Sequence, residues 1–159
     1  MDVAGRSRSR VEERLTRLEE EFGTPEVMQT ALEVGKRRYQ RTLERSHDGQ
    51  LDVQCVVRDD GGAVLLGEGN GEWIVPRTRP DEPPAAAARR IVRETAGVEC
   101  SIVDAVSADI HGIHNEDDES ASTVYRLSVV FTADVVDSAD PNGESVRWAA
   151  ETGPVGELV

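Results

Sequence analysis

Five of the eight basic residues beyond position 48 are arginines gathered between positions 77 and 93: Arg77, Arg79, Arg89, Arg90 and Arg93. Guanidinium forks bind phosphate directly and keep their charge at any accessible pH, so this cluster could hold a phosphate group without metal. The competing reading is a solvated face, because Arg89 and Arg93 stand four apart and charge clusters are commonly solvent-facing. A second constellation, His111-x-x-His114 followed by Glu116-Asp117-Asp118-Glu119, could collect Zn²⁺ or Mn²⁺. No third spaced His or Cys completes it, and a solvated acidic loop is the expectation. Cys55 and Cys100 have no Cys-x-x-Cys spacing and read as small buried hydrophobes. Trp73, Tyr125 and Trp148 read as packing residues, although one exposed ring could clamp a nucleobase.

The elements that must position these residues are read from periodicity. Val11, Leu15, Leu18 and Phe22 recur at helical steps, and Gly23 ends that stripe. Thr24-Pro25-Glu26 reads as a fresh helix start, with Met28, Leu32, Tyr39 and Leu43 on its apolar side. The pair predicts a helical hairpin acting as a strap or as a dimerisation seam. After Ser46-His47-Asp48-Gly49 the period becomes strand-like, which divides the chain into a helical segment, residues 1–48, and a second domain, residues 49–159. Strands are expected over Leu51 to Val57, Ala63 to Leu66 and Glu72 to Val75, the first two joined by an Asp60-Gly61-Gly62 turn. Gly67-x-Gly69-x-Gly71 thus joins two strands and opens no helix, which argues against a dinucleotide fingerprint. Pro83 to Ala96 is the clear helix of this half, ended by Gly97, with Ala87, Ala88, Ile91, Val92 and Thr95 on one face. Further strands are expected at Val98 to Val106, Thr123 to Val136 and Ser145 to Ala149, and a terminal helix start at Gly153 to Val159.

The chain of 159 residues carries 31 acidic and 18 basic side chains, a net charge of −13, and every basic residue except Lys36 is arginine. Acid excess with almost no lysine resembles the composition of proteins from extreme halophiles. Charges balance over residues 1–48, so the whole excess lies in residues 49–159. Such a surface argues against a general nucleic-acid binder, which must release counter-ions through basic contacts. No apolar run approaches the ~20 residues of a membrane span. Met1 to Arg10 is too polar for a secretory leader, so the sequence reads as cytoplasmic.

Trp73-Ile74-Val75-Pro76, Glu82, Arg90, Val92, Glu94, Gly97 and Val98 together resemble the signature of the Nudix hydrolase family. That signature runs Trp-x-Leu-Pro, a glycine pair, a Glu, and Arg-Glu-x-x-Glu-Glu-x-Gly. The spacings from Glu82 to Arg90 and from Arg90 to Gly97 match it. Cys55 to Leu66 is similar to the family's opening hairpin and Glu144-Ser145-Val146-Arg147-Trp148 to its late Glu-x-x-x-Trp strand. The resemblance covers about residues 50–158 and implies an α/β fold, a Nudix-like α/β/α sandwich with a mixed sheet, here preceded by the helical hairpin. It also implies hydrolysis of a nucleoside diphosphate linked to another group, with Mg²⁺ held by carboxylates on adjacent turns of one helix.

Departures from the signature bear on that chemistry. The glycine pair is absent, and Arg77-Thr78-Arg79 stands in a shorter loop. Ile91 and Thr95 occupy two of the three helix-carboxylate positions, leaving Glu94. By resemblance the catalytic candidates are Glu94 and Glu144, the metal candidates Glu94 and Glu82, and the phosphate-binding candidates Arg77, Arg79 and Arg90. Glu82 also reads as a first-turn acid of the helix, Glu144 as a strand-end surface acid, and Arg90 as a helix support through local carboxylates. The expected function is a Nudix pyrophosphohydrolase whose metal-dependent hydrolysis is weak or lost, with Mg²⁺ if active and otherwise no cofactor. The alternatives are a metal-independent nucleotide or phosphate sensor using the arginines, and a structural interaction module carried by residues 10–46. The expected partner is a nucleotide or other diphosphate-containing small molecule, and a homodimer is a further expectation; a membrane is excluded.

Overall fold

A computed structural model describes residues 2–69, 71–79, 82–136 and 146–149. The elements run α1 (Val3–Phe22), β1 (Glu26–Val34), α2 (Lys36–His47), β2 (Asp52–Arg58), β3 (Val64–Gly69), β4 (Glu72–Ile74), β5 (Arg77–Thr78), α3 (Pro84–Ala96), β6 (Cys100–Asn115), β7 (Val124–Val135) and β8 (Val146–Ala149). They form a mixed α/β sheet with helices, the expected fold class, with α1 at the N-terminal end. No described helix is long and apolar enough to cross a membrane. The chain divides into two compact units, the first holding the described residues of Met1–Asp52, Arg79–Asp81 and Ala105–Val129, the second those of Val53–Thr78, Glu82–Asp104 and Val130–Val159.

In the first unit, the Asp2 carboxylate caps α1 by accepting the Gly5 amide at 2.8 Å, and the helix buries Val11 and Leu18 of the expected stripe. Gly23, at φ +83°, ends it as its amide donates to the Glu19 carbonyl. The expected second helix starts later than its capping signal implied. Glu26–Val34 is a strand, paired in parallel with β6 from Glu26↔Ser107 to Val34↔Asn115, and α2 begins only at Lys36. Met, Gln, Ala, Leu and Glu are good helix formers, but a nine-residue ladder satisfies the backbone groups of this segment and overrides that weak preference. Gly35 separates strand from helix and supplies no side-chain cap; the Asp117 carboxylate instead accepts the Lys36 amide at 3.0 Å. Val34, Tyr39, Ile113 and Val124 form this unit's apolar cluster.

In the second unit, β2 and β3 form the expected hairpin. Asp59 Oδ1 accepts the amides of Gly61 and Ala63, each at 2.9 Å, and Gly62 takes φ +84°. β3 pairs antiparallel with β4 around Gly71 and with β8, while β5 pairs with β2 through Val53↔Thr78 and Gln54↔Arg77. Val56, Val64, Leu66, Val75 and Val130 form the apolar cluster, with Trp73 and Ala149 packed against it. β6 continues well past Val106, through the stretch expected to be loop, to Asn115. The expected terminal helix at Gly153 to Val159 lies outside the described residues.

Candidate functional site

α3 carries the charged residues of interest because its other side is nearly all small and buried: Ala85, Ala87, Ala88, Val92 and Ala96. Pro83 stands before it without a side-chain cap, Pro84 opens its first turn, and Gly97 closes it in the left-handed conformation, its amide 2.8 Å from the Arg93 carbonyl. Burying that face leaves Arg90 and Glu94 directed outward, one helical turn apart.

Arg90 is the centre of this surface. Its Nη2 and Nε lie 2.6 and 2.7 Å from Glu82 Oε1, and its Nη1 lies 3.0 Å from Glu94 Oε2. The Glu82 hydrogen bond, opposed by burial and then assisted by Glu94, holds the guanidinium above its ordinary range. The structure thus brings together three of the site candidates, Glu82, Arg90 and Glu94. Glu82 lies before the helix and acts as a partner of Arg90; the first turn itself contains no acid. Ile91 and Thr95 are half-buried beside them and offer no carboxylate.

The remaining candidates are placed elsewhere. Arg77 is exposed on β5 and has no ion-pair partner among the described residues, whereas Arg79, in the first unit, donates from Nε to Asp52 Oδ1 at 2.9 Å. Arg93 stands 3.6 Å from Glu99, both about half exposed, and Arg89 is exposed, so these two form the solvated face that their spacing suggested. Glu144 lies outside the described residues.

The histidine pair is corrected by the structure. His111 and His114 lie on β6, not in a loop, and their Nδ1 atoms face Thr30 Oγ1 at 2.7 Å and Thr123 Oγ1 at 3.0 Å. Three residues apart on a strand, they point to opposite faces and cannot chelate one ion together. Among the described residues, no three His, Cys, Asp or Glu side chains gather to hold a metal. Cys55 and Cys100 are both buried, and the hydrogen bond to Cys100, reinforced by burial, pushes the Cys55 thiol far above its ordinary range. Trp73 packs against the second unit's apolar cluster with the Arg147 guanidinium 4.4 Å over its ring, and the Arg8 guanidinium lies 5.7 Å over Tyr125.

Sequence reasoning missed Asp52, Arg45 and Arg126. Arg126 is buried at 6 % exposure, yet the strand alternation already put it in phase with buried Val124. That phase was the available signal.

A family model described as NUDIX domain matches residues 49–152. No curated protein matches the sequence. Among solved structures, the chain is similar to a NUDIX hydrolase from Nitrosomonas europaea at 19 % identity and TM-score 0.48, over 70 % of this chain and 60 % of that one. It is also similar to a UDP-X diphosphatase at 15 % identity and TM-score 0.45, over 64 % of this chain and 50 % of that one. The Ap4A hydrolase of C. elegans matches at 17 % identity and TM-score 0.46, over 64 % of this chain and 80 % of that one. The chain therefore spans less than two thirds of the first two of these relatives.

Proposed function

The chain belongs to the Nudix family, and from that membership we propose that it binds a nucleoside diphosphate linked to another group while hydrolysing it weakly or not at all. Enzymes of the family generally use divalent metals such as Mg²⁺. When bound, such an ion neutralises phosphate oxygens and activates water. The described residues of this chain fit it poorly. A hard ion needs several oxygen donors, and the two candidate carboxylates, Glu82 and Glu94, share one guanidinium between them. Ile91 supplies no oxygen, and Thr95 supplies a neutral hydroxyl at best.

The observation that carries the reading is Arg90 lying across Glu82 and Glu94 where further acids would be needed to outcompete it. A metal-independent sensor is the second reading, favoured by the exposed Arg77, whose charge no described acid neutralises. Calorimetric titration with a panel of nucleoside diphosphate derivatives, with and without Mg²⁺, tests both together with a turnover assay. We expect binding that does not require Mg²⁺ and slow Mg²⁺-stimulated turnover. Ile91→Glu with Thr95→Glu should raise that turnover by about tenfold or more, since each ~1.4 kcal/mol of transition-state stabilisation is a factor of ten. Robust turnover by the natural protein, abolished by Glu94→Gln, would overturn the proposal.

A further inference from the structure

The first unit contains a further group of arginines around Asp52, one of which, Arg79, comes from the signature loop. Asp52, at the start of β2, is met by two guanidiniums: Arg79 Nε lies 2.9 Å from its Oδ1 and Arg126 Nη2 lies 3.6 Å from its Oδ2. Arg126 reaches this point from β7 with its side chain only 7 % exposed. Its Nη1 donates to the Gln50 carbonyl, while Nη2 is buried without a hydrogen-bond partner. A buried guanidinium N–H without an acceptor is costly, so it marks where an acceptor belongs.

Arg45 stands on α2, where Arg38, Arg41 and Arg45 follow at steps of three and four, within range of the charges of Arg79 and Asp52. Burial lowers its guanidinium from the ordinary range; repulsion from Arg79 adds to this, attraction to Asp52 opposes it, and Arg41 and Arg38 repel more weakly. Arg126 is lowered likewise by burial, with Asp52 opposing and Arg45 and Arg79 adding repulsion. Two guanidiniums thus contact one carboxylate that is one-third exposed, and the charge of a third, Arg45, acts on the same group, in a chain whose net charge is −13. Salt bridging alone would need one of them. A carboxylate also presents two oxygens in a plane, both already approached, and leaves nothing for Arg45.

We propose that Arg45, Arg79 and Arg126 form a binding site for a phosphate or diphosphate group, with the Asp52 carboxylate as the internal anion that the ligand displaces or joins. A tetrahedral phosphoryl group offers three oxygens and up to two charges, enough to serve the orphaned Arg126 Nη2 and Arg45 at once. The site requires no metal. Its argument uses none of Glu82, Arg90 and Glu94, which belong to the second unit.

The test is calorimetric titration of the full chain with inorganic pyrophosphate in the presence of a metal chelator, with circular dichroism reporting the fold at each salt concentration. Pyrophosphate should bind, and more weakly as salt rises. Arg45→Gln and the more exposed Arg79→Gln should each weaken binding about tenfold or more, which is ~1.4 kcal/mol at 25 °C. Asp52→Asn should tighten it several-fold and enlarge the pyrophosphate-induced rise in Tm. Arg17→Gln, on the exposed side of α1, should leave it unchanged. A nucleoside diphosphate titrated in parallel separates two sources of the same group: equal affinity makes phosphate the recognised element, tighter binding makes the ligand a nucleotide, and both support the site. If folded protein binds pyrophosphate with neither the natural residue nor Asn at position 52, or if Arg77→Gln weakens binding while Arg45→Gln and Arg79→Gln do not, the proposal fails.

Discussion

A guanidinium that meets two carboxylates occupies lone pairs that a metal would otherwise use. Arg90 does so at three contacts of 3.0 Å or less, yet the three side chains are from one-third to more than one-half exposed, so each pair contributes at most about 1 kcal/mol to stability. The arrangement therefore bears more on ligand chemistry than on folding. Tyr39 is a residue of the opposite kind. It is buried, donates its hydroxyl to the Ser122 carbonyl, and has its ionisation pushed upward, first by burial and then by the Asp118 charge. Because the folded state holds this proton more tightly than the unfolded chain, the associated stability is complete below pH 10.0, the unfolded value, and is lost as pH rises through the higher folded one. Melting curves from neutral to alkaline pH should show Tyr39→Phe about 1 kcal/mol less stable at neutrality, for the lost hydrogen bond. The same variant should fall off less steeply than the natural protein above pH 10.0. Parallel curves in that range would mean that Tyr39 does not contribute to the alkaline transition.

At the scale of elements, α3 depends on a mostly alanine face and on its terminating glycine. Gly97 adopts φ +70°, ψ 16°, a conformation that costs an L side chain roughly 1–2 kcal/mol. Gly97→Ala should therefore lower the urea midpoint by an equivalent amount with the slope unchanged, and Gly97→Asn by less, because asparagine tolerates the left-handed region. An undiminished midpoint in Gly97→Ala would show that the helix end relaxes without loss. β1 is the element whose type local sequence misjudged. Eight of its nine residues are exposed, so no alternation of burial marks it as a strand, and Met28 and Leu32 kept the four-residue step of a helix. Only its partner, the second half of β6, makes it a strand, and that half itself looked like loop because His111, Gly112 and His114 interrupt its apolar pattern.

For the whole molecule the decisive quantity is charge. With 31 acids against 18 bases, mutual repulsion of carboxylates opposes compaction, and added salt screens it over distances of ~10 Å at 0.1 M. Raising KCl from about 0.05 M to about 2 M should raise Tm steadily, most of the gain coming below ~0.5 M where screening changes fastest. A flat or falling Tm would mean that surface repulsion is not a limit on this fold.

What the sequence determined by itself was whatever rests on local spacing. The strand hairpin around Asp59 to Ala63, the boundaries of α3, the closing Gly97 and the family signature are all set by neighbours within a few residues, and each was legible there. Arg90 serving local carboxylates was legible for the same reason, since Glu94 is one helical turn away. Tertiary structure decided everything that depends on pairing between distant segments. Glu26–Val34 became a strand because residues 107–115 supplied its ladder, and Arg79 found its carboxylate partner in Asp52, 27 positions away. Arg45, Asp52 and Arg126 belong to three different elements and carry no common motif. Hydrogen bonds and Coulomb forces act through space, so only the folded chain could bring those charges to one point.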